Sequence, residues 1–253
     1  MMTCTDVARL LDAELRVAHF RDVSHNGLQI ANRGPVTRVL TAVDASLETF
    51  EAAVAQGAGM VLAHHGLSWG ESLARITGAN YTLVRCAIEH NLAVYACHLP
   101  VDAHPTLGNN ARLCAALGVT GTEPFFDYRG QKIALMGRLA EPMPRGAFAE
   151  RVRDALRPPR LETFFHGPET VRTVGICSGG APEGIAAAAE AGLDLYLSGE
   201  ATLVGYNLAR HCAMNALFAG HYATECCGIR AVGEWLAAET GLEVAFLDLN
   251  LPY

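Results

Sequence analysis

The sequence predicts an α/β protein of two lobes, with mixed sheets covered by helices. Three observations predict it. Short apolar, β-branched runs alternate with longer segments of helical period along the chain. Of 253 residues, 51% are apolar and only 18% charged, which is enough for one large core or two smaller ones. The alternation breaks once, in the Gly- and Pro-containing stretch Thr120 to Gly130. That break divides the chain into an N-terminal lobe, 1–125, and a C-terminal lobe, 126–253, with room for the chain to cross back.

The elements follow in order. Val36 to Val43 reads as a strand and Leu47 to Gln56 as a helix closed by Gly57 and Gly59. Gly59 to Ala63 is the next strand, running into His64-His65. Tyr81 to Glu89 is a helix with Asn80 as its N-cap. Leu92 to Cys97 is a strand leading to His98-Leu99-Pro100-Val101-Asp102, and Asn109 to Leu117 is a helix stopped by Gly118. Past the break come a strand at Lys132 to Leu139 and a helix at Arg145 to Leu156 ended by Pro158-Pro159. Val171 to Cys177, Leu193 to Leu197 and Asn215 to Phe218 are strands, and Glu183 to Ala191 is an alanine-rich helix. A helix from about Thr224 to Glu239 and a strand from Leu242 to Leu247 close the chain.

Charge and composition exclude several classes. The formal net charge is -7, which disfavours a nucleic-acid partner because a phosphate backbone demands a basic surface. A phosphorylated small molecule stays possible, since bound ions bring their own positive charge. No apolar run approaches the ~20 residues of a membrane span, and the N-terminus does not read as a signal peptide. The eight cysteines include no C-x-x-C pair and several lie in apolar runs, so a reducing cytoplasm is the expected compartment. No Gly-x-Ser-x-Gly elbow or Walker motif occurs. Ser178-Gly179-Gly180-Ala181-Pro182 reads as a tight turn rather than an anion site.

Three inferred strands end in metal-ligand residue types: His64-His65, the segment His98 to Asp102, and His221. Ligands bind past the carboxyl ends of strands in α/β sheets. Neighbouring residues on a regular strand face opposite ways, but at a strand end two rings can serve two adjacent ions. Two histidines that merely hydrogen-bond in a loop are the plainer alternative. A carboxylate at Asp102 can bridge two ions, or it is an ordinary loop aspartate beside a proline turn. His98 and His104 flank it as residues that orient a ligand. His221 and Glu225 share a helix face if the helix starts at His221, and otherwise need the turn to bring them together. Glu225 in a first turn also suits the helix dipole. Cys226-Cys227 reads as packing, and His90 as a helix-end cation. Imidazole nitrogen with carboxylate oxygen suits zinc, iron, manganese or nickel.

These residues together resemble a known family. Asn26-Gly27-Leu28-Gln29, Ala63 to Leu67, His98 to Pro105, Leu107-Gly108-Asn109-Asn110 and Ala219 to Glu225 are similar, in order and spacing, to the NIF-three-like family. Its members are often labelled GTP cyclohydrolase 1 type 2 homologue. The resemblance covers the chain from about Asn26 onward and fits the short form, which has no inserted middle domain. It implies a two-lobed α/β subunit with a metal site between the lobes, two divalent ions per subunit and a toroidal homohexamer. It places the ligands at His64, His65, Asp102, His221 and Glu225; on a hydrolase reading, Asp102 and Glu225 also take the catalytic role. Two functions fit. One is a metal-dependent hydrolase of a phosphoester or nucleotide-like small molecule, and the other is a non-catalytic metal-carrying, metal-sensing or interaction protein.

Overall fold

The computed structural model describes residues 1–253 and has mixed α/β architecture, with three sheets and nine α-helices. The chain divides into two units. The first comprises residues 1–101 and 229–249, and the second comprises 102–228 and 250–253.

In the first unit a five-stranded sheet runs in the order Glu243–Phe246, Arg38–Asp44, Met60–His65, Ala93–Ala96, Gly27–Ile30. All neighbours pair in parallel except the last, Gly27–Ile30 against Ala93–Ala96. The strands Met60–His65 and Ala93–Ala96 are buried almost throughout, which is why they read as unbroken apolar runs. Helix Leu47–Ala55, capped by Ser46, covers the sheet and buries Phe50 against Leu40, Val61 and Val94. Helix Gly78–Glu89 is longer than the sequence suggests, and its N-cap is Thr77. Asn80 instead donates from Nδ2 to the carbonyls of Ser72 and Arg75.

In the second unit a six-stranded sheet runs Val119–Tyr128, Gln131–Pro144, Thr170–Ile176, Leu195–Ser198, Asn215–Phe218, Glu162–Phe165. Its three central strands are parallel and its outer pairings antiparallel. Phe148 and Val152 of helix Arg145–Leu156 pack with Leu113, Val174, Leu195 and Leu217 into one core. Removing a ring such as Phe148 would cost about 3–5 kcal/mol.

The stretch expected to separate the lobes is a strand. Val119–Tyr128 forms a hairpin with Gln131–Pro144 through Arg129 and Gly130, both at positive φ (54° and 82°), the conformation hairpin turns favour. Alternation is hidden there by a register shift between Thr120 and Glu123 and by Phe126 at φ 57°. The units divide at 101/102 rather than near 125, so Asp102 opens the second unit. The closing helix, His221–Thr240, begins in the second unit and ends in the first. No helix is long and apolar enough to cross a membrane.

Candidate metal centre

In the first unit, parallel pairing sets Asp44 beside His65 at the carboxyl ends of their strands. His65 Nδ1 lies 2.9 Å from Asp44 Oδ1. His64, fully buried, has Nδ1 3.0 Å from the Cys97 carbonyl oxygen. His98, just past the Ala93–Ala96 strand, has Nδ1 3.0 Å from Asp22 Oδ1. A carbonyl or carboxylate oxygen only accepts, so each of these Nδ1 atoms donates to it. The three rings offer ligand atoms within 4.8 Å of one another. This is the arrangement in which protein oxygens orient metal-binding imidazoles.

The orienting shell is itself held. Asp22 also accepts from the Asn26 amide and the backbone N–H groups of Ser24 and Leu99. Burial raises its carboxyl, but hydrogen bonding and charge at His98, with Asn26 and Ser24, hold it well below the usual carboxylate range. Asn26 Oδ1 takes the His98 N–H at 2.8 Å. Gln29 Oε1 takes the N–H groups of Leu67 and Ser68, pinning the loop after His65. Gly66 must be glycine, because a Cβ there would overlap Gln29 and Ala96. Trp69 packs against His98 and His65 at ring distances of 4.9 and 5.6 Å.

In the second unit the helix starts at His221, after Gly220 at φ 89°, so His221 and Glu225 lie one turn apart on the same face. His221 Nε2 is 3.1 Å from Glu225 Oε2, and its Nδ1 is 2.6 Å from Glu200 Oε1. Asp102 Oδ1 accepts from Asn109 Nδ2 (2.9 Å) and Ser178 Oγ (2.8 Å). Asn110 ties the same turn together, donating to the Asp102 carbonyl and accepting the Ser178 N–H. Asp102 and Glu225 are 6% and 2% exposed and offer oxygens within 4.8 Å of each other. Two buried carboxylates that close repel each other strongly unless a cation or a proton stands between them. The Ser178–Gly180 turn forms the wall beside them. Gly179, at φ 68°, approaches Glu225 so closely that a Cβ would overlap its carboxylate.

All five residues expected from sequence thus lie in polar clusters at strand ends or helix starts. His64 and His65 gather with His98 in the first unit, while His221 and Glu225 gather in the second, where Asp102 also lies. Sequence reasoning ranked His98 as an orienting residue, whereas its geometry matches that of His64 and His65. Glu200 was missed; its position after the Leu195–Ser198 strand was the available signal. His104 serves its own loop, with Nδ1 accepting the Leu107 N–H at 3.0 Å. Cys226 and Cys227 direct their thiols at the carbonyls of Tyr222 and Asn109.

Comparison with known proteins gives a consistent family. The model described as Duf34/NIF3 (NGG1p interacting factor 3) matches residues 2–251. A Deinococcus radiodurans protein named GTP cyclohydrolase 1 type 2 homolog is 40% identical over 243 residues, covering 96% of this chain and 92% of its own. Among solved structures, the protein ybgI, titled as of unknown function, is 34% identical with a TM-score of 0.94, and the match covers 100% of both chains. Protein TTHA1606 from Thermus thermophilus is 31% identical with a TM-score of 0.88 over 98% of each chain.

Proposed function

The chain belongs to the Duf34/NIF3 family, and on that premise we propose that it is a dinuclear divalent-metal hydrolase acting on a phosphoester or nucleotide-like small molecule. His64, His65, Asp102, His221 and Glu225 are the ligands, joined by His98. The observation that carries the reading is the donor chemistry. Three imidazoles oriented through Nδ1 gather in one unit, and two buried carboxylates with a fourth oriented imidazole gather in the other. Asp102 follows His98 by one short helical turn, Leu99–Asp102, which tethers the two sets along the chain. Nitrogen and carboxylate donors of this kind fit zinc, iron, manganese or nickel.

Two such ions would supply Lewis-acid activation of water and neutralise charge developing in a hydrolytic transition state. The chain supplies the orientation. Glu200 Oε1 holds the Nδ1 proton of His221, and Asp44, Asp22 and the Cys97 carbonyl do the same for the other rings. Asn109 and Ser178 fix Asp102 through one oxygen, and Asp102 and Glu225 would supply the carboxylates that hold the ions. A cavity bordered by His221 and Glu200 favours turnover over storage, since a carrier has no use for a substrate-sized opening. We extend the proposal to a homohexamer working in the cytoplasm. Exposed Ile76, Ile88, Leu203 and Val204 provide apolar surface for assembly, and Cys4, Cys114 and Cys177 keep free thiols.

The test is metal analysis of protein purified without added metal, followed by a phosphoester and nucleotide panel on the same sample. The relatives' name puts GTP on that panel. About two ions per chain with chelator-sensitive turnover is the expected result. Metal without turnover supports the non-catalytic carrier instead, and folded protein that takes up no metal overturns both.

A further inference from the structure

The second unit holds a cavity of about 320 Å³ that borders His221 and Glu200. Its position follows from topology. Strands Leu195–Ser198 and Asn215–Phe218 are parallel and end side by side, and Glu162, the first residue of the neighbouring antiparallel strand, lies opposite Phe218. The space past the carboxyl ends of parallel strands is where α/β sheets receive ligands. The volume is at the small end of the range for ligand pockets, about 300–1,000 Å³. It suits one ring with one small substituent rather than an extended chain.

The walls specify the chemistry. Its apolar lining comes from Pro159, Phe218, Pro252 and Tyr253, of which Phe218 is buried. The one cation is Arg160, exposed at the mouth and ion-paired with Glu162. Tyr253 is 81% exposed yet seated, because its carbonyl oxygen accepts the Tyr222 N–H at 2.8 Å. Gly220 permits that seat: it stands at φ 89°, and a Cβ there would come within 3.2 Å of the same oxygen.

We propose that this cavity binds a small aryl or heteroaryl phosphate whose anionic group pairs with Arg160 and whose ring packs on Tyr253. Arg160 presents the planar fork that takes phosphate through two parallel hydrogen bonds. Glu162 occupies that fork in the structure. It is a substrate-mimicking carboxylate on a solvent-accessible strand end, so releasing it to water costs little. Ring contact with the proline and tyrosine faces adds sequestering surface, in a cavity that His221 also borders. The inference rests on the metal-hydrolase reading for the role of His221, but the cavity's affinity needs no metal.

The experiment is calorimetric titration of the full chain with phenyl phosphate and with inorganic phosphate, on chelator-stripped and on metal-loaded protein, with circular dichroism confirming each variant's fold. Stripped wild-type protein should bind phenyl phosphate. Arg160→Ala should weaken both probes by about tenfold or more, the loss of one charged hydrogen-bonding partner. Tyr253→Ala should weaken phenyl phosphate about two- to tenfold and leave inorganic phosphate unchanged. Glu162→Gln should tighten both probes, because it removes the internal competitor while Arg160 stays. A Glu162→Gln variant that binds no tighter, or an Arg160→Ala variant with full affinity, overturns the proposal. Binding seen only with metal and indifferent to Arg160 places the anion on the ions, which sinks this inference and leaves the metal reading standing. Arg160-dependent binding to a chain that never takes up metal does the reverse.

Discussion

Two glycines with the same backbone angle separate backbone strain from damage to the candidate centre. Gly179 and Gly192 both stand at φ 68°. A Cβ at Gly192 meets nothing within 4 Å, whereas one at Gly179 overlaps the Glu225 carboxylate and comes within 3.2 Å of His221 Nε2. Alanine at either position bears the same left-handed penalty, about 1–2 kcal/mol. At Gly179 the forced shift in a packed site adds about 1–3 kcal/mol. For a chain of this size each kcal/mol lowers Tm by roughly 2–4 °C, so Gly179→Ala should melt roughly 2–12 °C below Gly192→Ala. The sharper readout is metal. Gly192→Ala should retain wild-type stoichiometry, while Gly179→Ala, with Glu225 displaced, should bind metal about 10–100-fold more weakly. Thermal melts of stripped protein and metal titration by competition with a chelator measure the two effects. A Gly179→Ala protein that matches Gly192→Ala in both would show that Glu225 is not held where metal binding needs it.

Further outcomes follow from the same geometry. Asp102→Ala and Glu225→Ala should each lose metal in folded protein, because the two carboxylates supply most of the negative charge facing the ions; full two-ion occupancy in either variant rules that residue out as a bridge. His90→Ala should keep its metal and lose at most ~1 kcal/mol, since His90 is exposed at the C-cap of helix Gly78–Glu89. Burial pushes the Cys114 thiol up from 9.0 to about 12, so its contribution to stability is complete below pH ~9 and is lost as pH rises toward the folded value. Cys114→Val should therefore flatten the alkaline limb of a urea-midpoint profile, and an unchanged limb refutes the assignment. Light scattering should show an assembly several times larger than one chain, and a 26.9 kDa particle at micromolar concentration would refute the hexamer.

Much of the fold was legible because buried parallel strands leave a strong trace. Asn109–Leu117, Arg145–Leu156 and Asn215–Phe218 coincide with the elements expected from sequence, and the two helices are bounded by Gly108 and Gly118 and by Pro144. Illegible elements lack such a trace. Val119–Tyr128 is an edge strand exposed over much of its length, and its register shift breaks the two-residue period on which the reading depends. Leu203–His211 carries its leading apolar residues, Leu203 and Val204, exposed to solvent. The division at 101/102 left no signal because it falls inside a short helical turn, where composition does not change.

The candidate site was legible in its donor residue types and illegible in what aims them. His64-His65 and His221 to Glu225 stand out because adjacent or turn-spaced ligand residues are visible in one dimension. Their orienting partners come from distant segments: Asp44 is 21 residues before His65, Asp22 is 76 before His98, and Glu200 is 21 before His221. Only the fold brings these pairs together. The same holds for His98, whose Nδ1 meets Asp22, a pairing that no local spacing reveals. The histidine count of a motif therefore says which residues are available to a metal, and the oxygen facing each Nδ1 decides which of them present Nε2. By that criterion His98 belongs with His64, His65 and His221. His104, whose Nδ1 accepts a backbone N–H and so carries a lone pair rather than a proton, does not.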